Sequence, residues 1–133
     1  MIQSVTSRRI TSSSSMSQGL RTVFNILDKW RCSPEQQWHI LGMKKSTYYK
    51  NRESVDTARL SGDQVERISY ILNIHAALRI VFDNPENVYG FMSMPNNNSY
   101  FNGRTPLTVI STGNFGALYE TFKRVDALRG GGL

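Results

Sequence analysis

The chain has 133 residues, and its 16 Lys and Arg against 10 Asp and Glu give a net charge of +6. With 39% hydrophobic residues and a mean hydropathy of −0.39, it has the composition of one globular domain, or of two small ones sharing a core. One cysteine excludes an internal disulfide framework, and two histidines without clustered carboxylates give no metal set. No apolar run approaches the roughly 20 residues of a membrane span. The polar N-terminus lacks a secretory apolar core, so the expected compartment is a reducing cytoplasm.

The charge is uneven. Residues 1–84 hold 12 basic against 7 acidic side chains, a surplus of +5, while residues 85–133 hold 4 against 3, a surplus of +1. A nucleic-acid surface is therefore expected in the front part. Residues 1–16, MIQSVTSRRITSSSSM, have nothing to bury. They read as a flexible arm, in which Arg8 and Arg9 either meet DNA phosphates or have no partner. Ser17 is the expected cap of a first helix reaching about residue 30, with Leu20, Val23, Phe24, Leu27 and Trp30 as its apolar stripe. Cys32 has no histidine or acid beside it in the sequence to make it a nucleophile, and reads as a core or rim residue.

Ser33-Pro34-Glu35 is a helix start: a capping serine, a proline at the first helical position, and an acid favourable to the helix dipole. Leu41-Gly42 ends that helix in a tight turn, and a second short helix follows over 45–52. Two helices joined by a short glycine turn form a helix-turn-helix unit, whose second helix enters the major groove. From Met43 to Arg52 there are four basic residues, Lys44, Lys45, Lys50 and Arg52, and no acid, with Ser46, Thr47, Tyr49 and Asn51 adding hydrogen-bonding groups. Lys and Arg near the helix ends neutralise phosphates, whereas Lys45, Ser46 and Tyr49 at the front can reach base edges. Ile40, Leu41, Met43 and Tyr48 are the residues expected to hold the two helices together.

Residues 53–60 connect to Ser61, which with Gln64 forms a capping box and opens a helix running to about residue 82. Its predicted buried face is Val65, Ile68, Ile71, Leu72, His75, Leu78 and Val81 or Phe82, with His75 as a core or interface histidine. Asp83-Asn84-Pro85 breaks it and begins the rear part. The loop 94–104 holds three consecutive asparagines and Gly103, and Tyr100 and Phe101 are expected to fold back onto the rear helices. Thr105-Pro106 starts a two-turn helix with Leu107, Val109 and Ile110 inward, and Gly113 ends it. Asn114 caps a closing helix with the stripe Phe115, Leu118, Tyr119, Phe122, Val125 and Leu128. With no strand alternation and no helical repeat, the predicted fold is all-α. A long helix joins the front unit to a helical rear unit, giving boundaries of 1–16, 17–82 and 83–133. The sequence offers no paired carboxylates, no Ser-His or Cys-His set and no phosphate-cradling glycine loop, so an enzyme is not expected and no cofactor is implied.

The rear pattern resembles the C-terminal domain of the Xre/MbcA/ParS antitoxins. It has an aromatic helix (89–94), Pro95-Asn96, Gly103-Arg104-Thr105-Pro106-Leu107, Gly116 within a final helix over 114–128, and Gly130. Leu41-Gly42 followed by Ser46-Thr47-Tyr48 is similar to the family's front unit. Two positions depart from the pattern. Trp38 stands four before the glycine, where a small residue is usual, and Asn51 where family members often carry an aromatic. A unit kept only as scaffold is therefore the alternative to one that binds DNA.

The resemblance implies a type II antitoxin with two partners. One is a RES-class toxin that degrades or uses NAD, blocked at its active site by Tyr119, Phe122, Lys123, Asp126, Arg129, Gly130 and Leu133 on the closing helix and tail. The other is operator DNA, bound for autorepression through Lys44, Lys45, Ser46, Thr47, Tyr49, Lys50 and Arg52. It also implies a homodimer whose recognition helices address half-sites about one DNA turn apart. A dimeric helix-turn-helix regulator without a toxin partner is the alternative function.

Overall fold

The computed structural model describes residues 13–130. They form α1 (Ser13–Lys29), α2 (Pro34–Leu41), α3 (Lys45–Glu53), α4 (Gly62–Val81), α5 (Pro85–Gly90), α6 (Pro106–Ile110) and α7 (Phe115–Ala127), with single 3₁₀ turns at 55–57, 91–93 and 128–130. The described residues contain no strand. Short polar side chains fix where most of these helices begin. Ser33 Oγ accepts from Gln36 N at 3.2 Å while Gln36 Oε1 accepts from Ser33 N at 2.8 Å, and Ser61 and Gln64 repeat the exchange at 3.1 and 3.0 Å. Asn84, Thr105 and Asn114 each accept one first-turn N–H, and Pro34, Pro85 and Pro106 open their helices.

The first helix starts earlier than its apolar stripe suggests. Ser17 is not a cap but an interior residue of α1, and residues 13–16 belong to that helix rather than to an arm. The extra turn lies beside the 3₁₀ turn at 55–57: Ser17 Oγ is 3.5 Å from the Val55 carbonyl, and Arg21 pairs with Asp56 at 3.0 Å. Contacts from a distant segment thus extend a helix through serines that read locally as coil. Arg8 and Arg9 lie outside the described residues.

α4 is the spine. It packs most extensively against α7 on one side and α1 on another. Ile68, Ile71, Ile74 and Leu78 are fully buried, as are Leu20, Val23, Leu27 and Trp30 of the front part. Each such side chain contributes roughly 1.5–3 kcal/mol by leaving water. A helix covered from two directions buries more than one stripe, which is why Ile74 and Ala77 join the core while Leu72, His75, Val81 and Phe82 are only half-buried. α7 shows the opposite. It seats a narrow line of Leu118, Thr121 and Val125, leaving Phe115 and Phe122 half-buried and Tyr119 and Leu128 exposed.

In the loop before α6, Phe101 is buried and Tyr100 half-buried. The asparagine run does not supply the left-handed residues; Asn102 and Gly103 do, at φ 52° and 87°. Asn96 and Asn98 instead accept the backbone N–H two residues on, each at 2.8 Å, forming successive Asx turns.

One buried cation ties front to rear. Arg67 of α4 donates to the Ile40 carbonyl at 3.2 Å, to the Gly113 carbonyl at 3.0 Å and to Asp63 at 2.8 Å. Gly42 (φ 67°) and Gly113 (φ 81°) make room for this meeting. A Cβ on Gly42 would lie 2.8 Å from Arg67 Nε, and one on Gly113 would lie 3.1 Å from the His39 carbonyl oxygen. Arg67→Met should therefore leave two inward-facing carbonyls unpaired, costing about 2–4 kcal/mol and lowering Tm on the order of 10 °C. Thermal unfolding followed by circular dichroism measures this.

Candidate functional site

The α2–α3 turn sets the front surface. Gly42 N donates to the His39 carbonyl at 3.1 Å and Met43 N to the Trp38 carbonyl at 2.9 Å, closing α2 as α3 begins. Ile40, Leu41, Met43 and Tyr48 are all buried at this corner, as the sequence predicts. A polar chain absent from that reading locks it. Tyr48 Oη donates to Gln37 Oε1 at 2.8 Å, and Gln37 Nε2 donates to Asp28 at 2.8 Å and to the Cys32 carbonyl at 3.2 Å. Arg52 completes the chain with two contacts to Asp28 at 3.1 and 3.4 Å. Gln37 is only 2% exposed, and nothing in the Gln36-Gln37 pair signals which of the two is buried.

This geometry sorts the predicted DNA-facing residues. Lys44, Lys45, Ser46, Tyr49 and Lys50 are exposed, and Thr47 is half-buried. No ion pair engages the three lysines among the described residues. Lys44 is the N-cap of α3 and its side chain accepts no hydrogen bond, so the first-turn N–H groups keep their positive end outward. Arg52 is differently placed. Its guanidinium lies over the Phe24 ring at 4.7 Å and is held by Asp28, so it acts first as a clasp between α3 and α1. Asn51 faces inward, buried with Nδ2 3.6 Å from Met43 Sδ.

The rear surface centres on Tyr70 of α4, whose ring meets Phe115, Tyr119 and Phe122 of α7 at centroid distances of 5.7, 5.6 and 5.3 Å. Burial, Glu66 and Tyr119 together raise the Tyr70 pKa, so its hydroxyl stays a neutral donor. Tyr119 is 39% exposed and Lys123 Nζ sits 5.5 Å from its ring centre. Further along, Asp126 Oδ1 lies 2.7 Å from Arg129 Nε. The approach is off-axis, an ion pair rather than an aligned hydrogen bond, and its exposure leaves it worth little. Exposed Gly130 and the 63%-exposed Ile80 join Asp126, Ala127 and Arg129 along an open groove. Ile80 lies outside the predicted buried face of α4. Leu133 lies outside the described residues.

Two other groups bear on chemistry. Burial, and secondarily Asp28, push the Cys32 thiol up to about 12, which makes it inert. His75 stacks on Tyr89 at 5.4 Å, with Lys29 Nζ 4.9 Å from the same ring centre. Burial, then Arg79 and Lys29, hold its imidazole below the ordinary 6.5. The described residues contain no group of three metal-ligating side chains, and no helix among them is long and apolar enough to cross a membrane.

Two family models match consecutive parts of the chain. The antitoxin Xre-like helix-turn-helix domain covers residues 19–73, and the antitoxin Xre/MbcA/ParS C-terminal toxin-binding domain covers residues 77–131. An uncharacterized protein, y4oB, of Sinorhizobium fredii (strain NBRC 101917 / NGR234) is 36% identical over 113 residues, 84% of each chain. No solved structure matches.

Cys32 should resist a thiol reagent in the native protein at pH 8 and react once guanidinium unfolds it, as absorbance of the released thiolate reports. Because the folded state disfavours the His75 proton, the unfolded chain takes it up first on acidification. Stability should therefore be level above the ordinary value of 6.5 and fall as pH drops below it, with His75→Gln flattening that part of the Tm-against-pH curve.

Proposed function

Because the chain belongs to the Xre/MbcA/ParS antitoxin family, with a helix-turn-helix domain in front and a toxin-binding domain behind, we propose that it neutralises a RES-type toxin and represses its own operon. The toxin degrades or uses NAD, and the rear surface covers its active site. The observation that best supports this reading is the presence of two unlike surfaces: three exposed lysines without an ion pair around α3, and an aromatic cluster with Lys123 on α7.

Each surface suits its task by elementary physics. Covering a cofactor cleft takes buried area and a few aromatic anchors rather than chemistry, and Tyr119 and Phe122 are such anchors. Asp126 near the end of α7 extends that contact, together with Arg129, Gly130 and Leu133 after the helix. DNA binding takes cations able to displace condensed counterions, and Lys44, Lys45 and Lys50 are exposed with no ion pair among the described residues. Ser46, Thr47 and Tyr49 add hydrogen-bonding groups towards base edges, with Arg52 secondary because Asp28 holds it. A homodimer places two α3 helices on half-sites about 34 Å apart. The chain then resides in the cytoplasm, on the nucleoid when operator-bound, and excess toxin alters repression by changing the spacing of the paired helices.

Expression of the RES-type reading frame beside this gene should arrest growth, and co-expression of this chain should restore it with the two proteins co-purifying. Tyr119→Ala should weaken that complex about tenfold or more, as loss of an aromatic anchor does. A neighbour that is harmless alone would remove the toxin and leave a plain regulator. Lys45→Ala and Lys50→Ala should each weaken operator binding while leaving the toxin complex intact, and Lys50→Ala should lower its salt dependence by about one unit. Gel-shift titration across salt concentrations measures this.

A further inference from the structure

Trp38 is where the front unit departs from the usual pattern, and its surroundings give it a use. The buried residues of α2 are Gln37, Ile40 and Leu41, so the larger indole is not part of the buried corner. Trp38 lies half-buried along the flank of α3. The Tyr48 and Tyr49 rings meet it edge-on at 5.8 and 6.0 Å, and Lys45 Nζ stands 6.0 Å from its centre. Tyr49 is braced a second time by Tyr48 at 5.1 Å, yet remains 48% exposed. Lys45 and Tyr49 are four residues apart, neighbours on one row of the helix. Of the exposed side chains on that row, Lys45, Tyr49 and Glu53, the first two stand beside the same indole.

We infer that Trp38 is a positioning residue for sequence-specific DNA readout, its indole pre-ordering Lys45 and Tyr49 on the outer row of α3. The inference rests on the DNA-binding reading above. Lysine is among the side chains that lose most rotamer freedom when fixed, and a contact that orders it in the free protein removes part of that cost from binding. Trp38 carries no charge. It therefore acts on the preference between sequences and not on the counterion release that dominates affinity for any duplex.

The test compares affinities of the full chain for a duplex from the region upstream of its own gene and for a scrambled duplex of equal composition, by fluorescence anisotropy over a range of KCl. Trp38→Ala should reduce the ratio of the two affinities about tenfold, the size of one good base contact, and leave the salt slope unchanged. Trp38→Phe, which keeps a ring, should recover most of the ratio. Trp30, fully buried and the only other tryptophan, reports an intact core through its emission in Trp38→Phe. If Trp38→Ala unfolds, Trp38→Leu fills the space without a ring and takes its place. An unchanged ratio in a folded variant overturns the inference. So does a parallel fall for both duplexes, which would make Trp38 a packing residue only. If the unaltered chain shows no preference for the upstream duplex, the DNA-binding reading itself fails. The two preceding outcomes leave that reading standing.

Discussion

Arg67 is the constraint on which the two halves of this protein depend. A guanidinium is costly to bury, and it is tolerated here because backbone carbonyls from two distant turns and one carboxylate receive its donors. The carbonyls belong to Ile40, in the last turn of α2, and to Gly113, just before α7. Each lies where a helix ends or a turn begins, with no following turn to supply a partner. One side chain on the spine thus serves both the helix-turn-helix corner and the entry to the closing helix. Gly42 lets the chain pass Arg67 closely, and Gly113 lets it pass the backbone of His39.

Around that tie the surfaces are divided. In front, the chain from Tyr48 through Gln37 and Asp28 to Arg52 holds α1, α2 and α3 in one arrangement, so the exposed lysines project from a fixed frame. Behind, α7 fully buries only Leu118, Thr121 and Val125 and keeps part of its aromatic surface outside. A helix that needed all its apolar residues for its own fold would have none left for a partner.

Local chemistry made much of this legible. Ser33, Ser61, Thr105 and Asn114 announce helix starts because a capping side chain acts within three residues of itself, and Gly42 announces the turn because left-handed backbone favours glycine. The family resemblance likewise followed from ordered short motifs. What escaped was decided at long range. The burial of Arg67 and Gln37 depends on acceptors that only the folded chain assembles, and periodicity counts such residues as solvent-facing. The early start of α1 depends on a turn almost forty residues away. Tyr119 and Leu128 fit the apolar period of α7 yet stand outside, because the period tells which residues share a side and not how wide the neighbour is. Arg52 and Asn51 show the same limit for the site: both sit on the right helix, and inward partners engage them.

The proposed function requires that one core carry two separately engaged surfaces. Amide hydrogen exchange on the full chain, alone, with the neighbouring toxin and with upstream DNA, tests it most directly. The toxin should slow exchange over α7 and the 128–130 turn, and DNA should slow it over residues 42–53, each leaving the other segment unchanged. Protection of α3 by the toxin, or of α7 by DNA, would contradict the account.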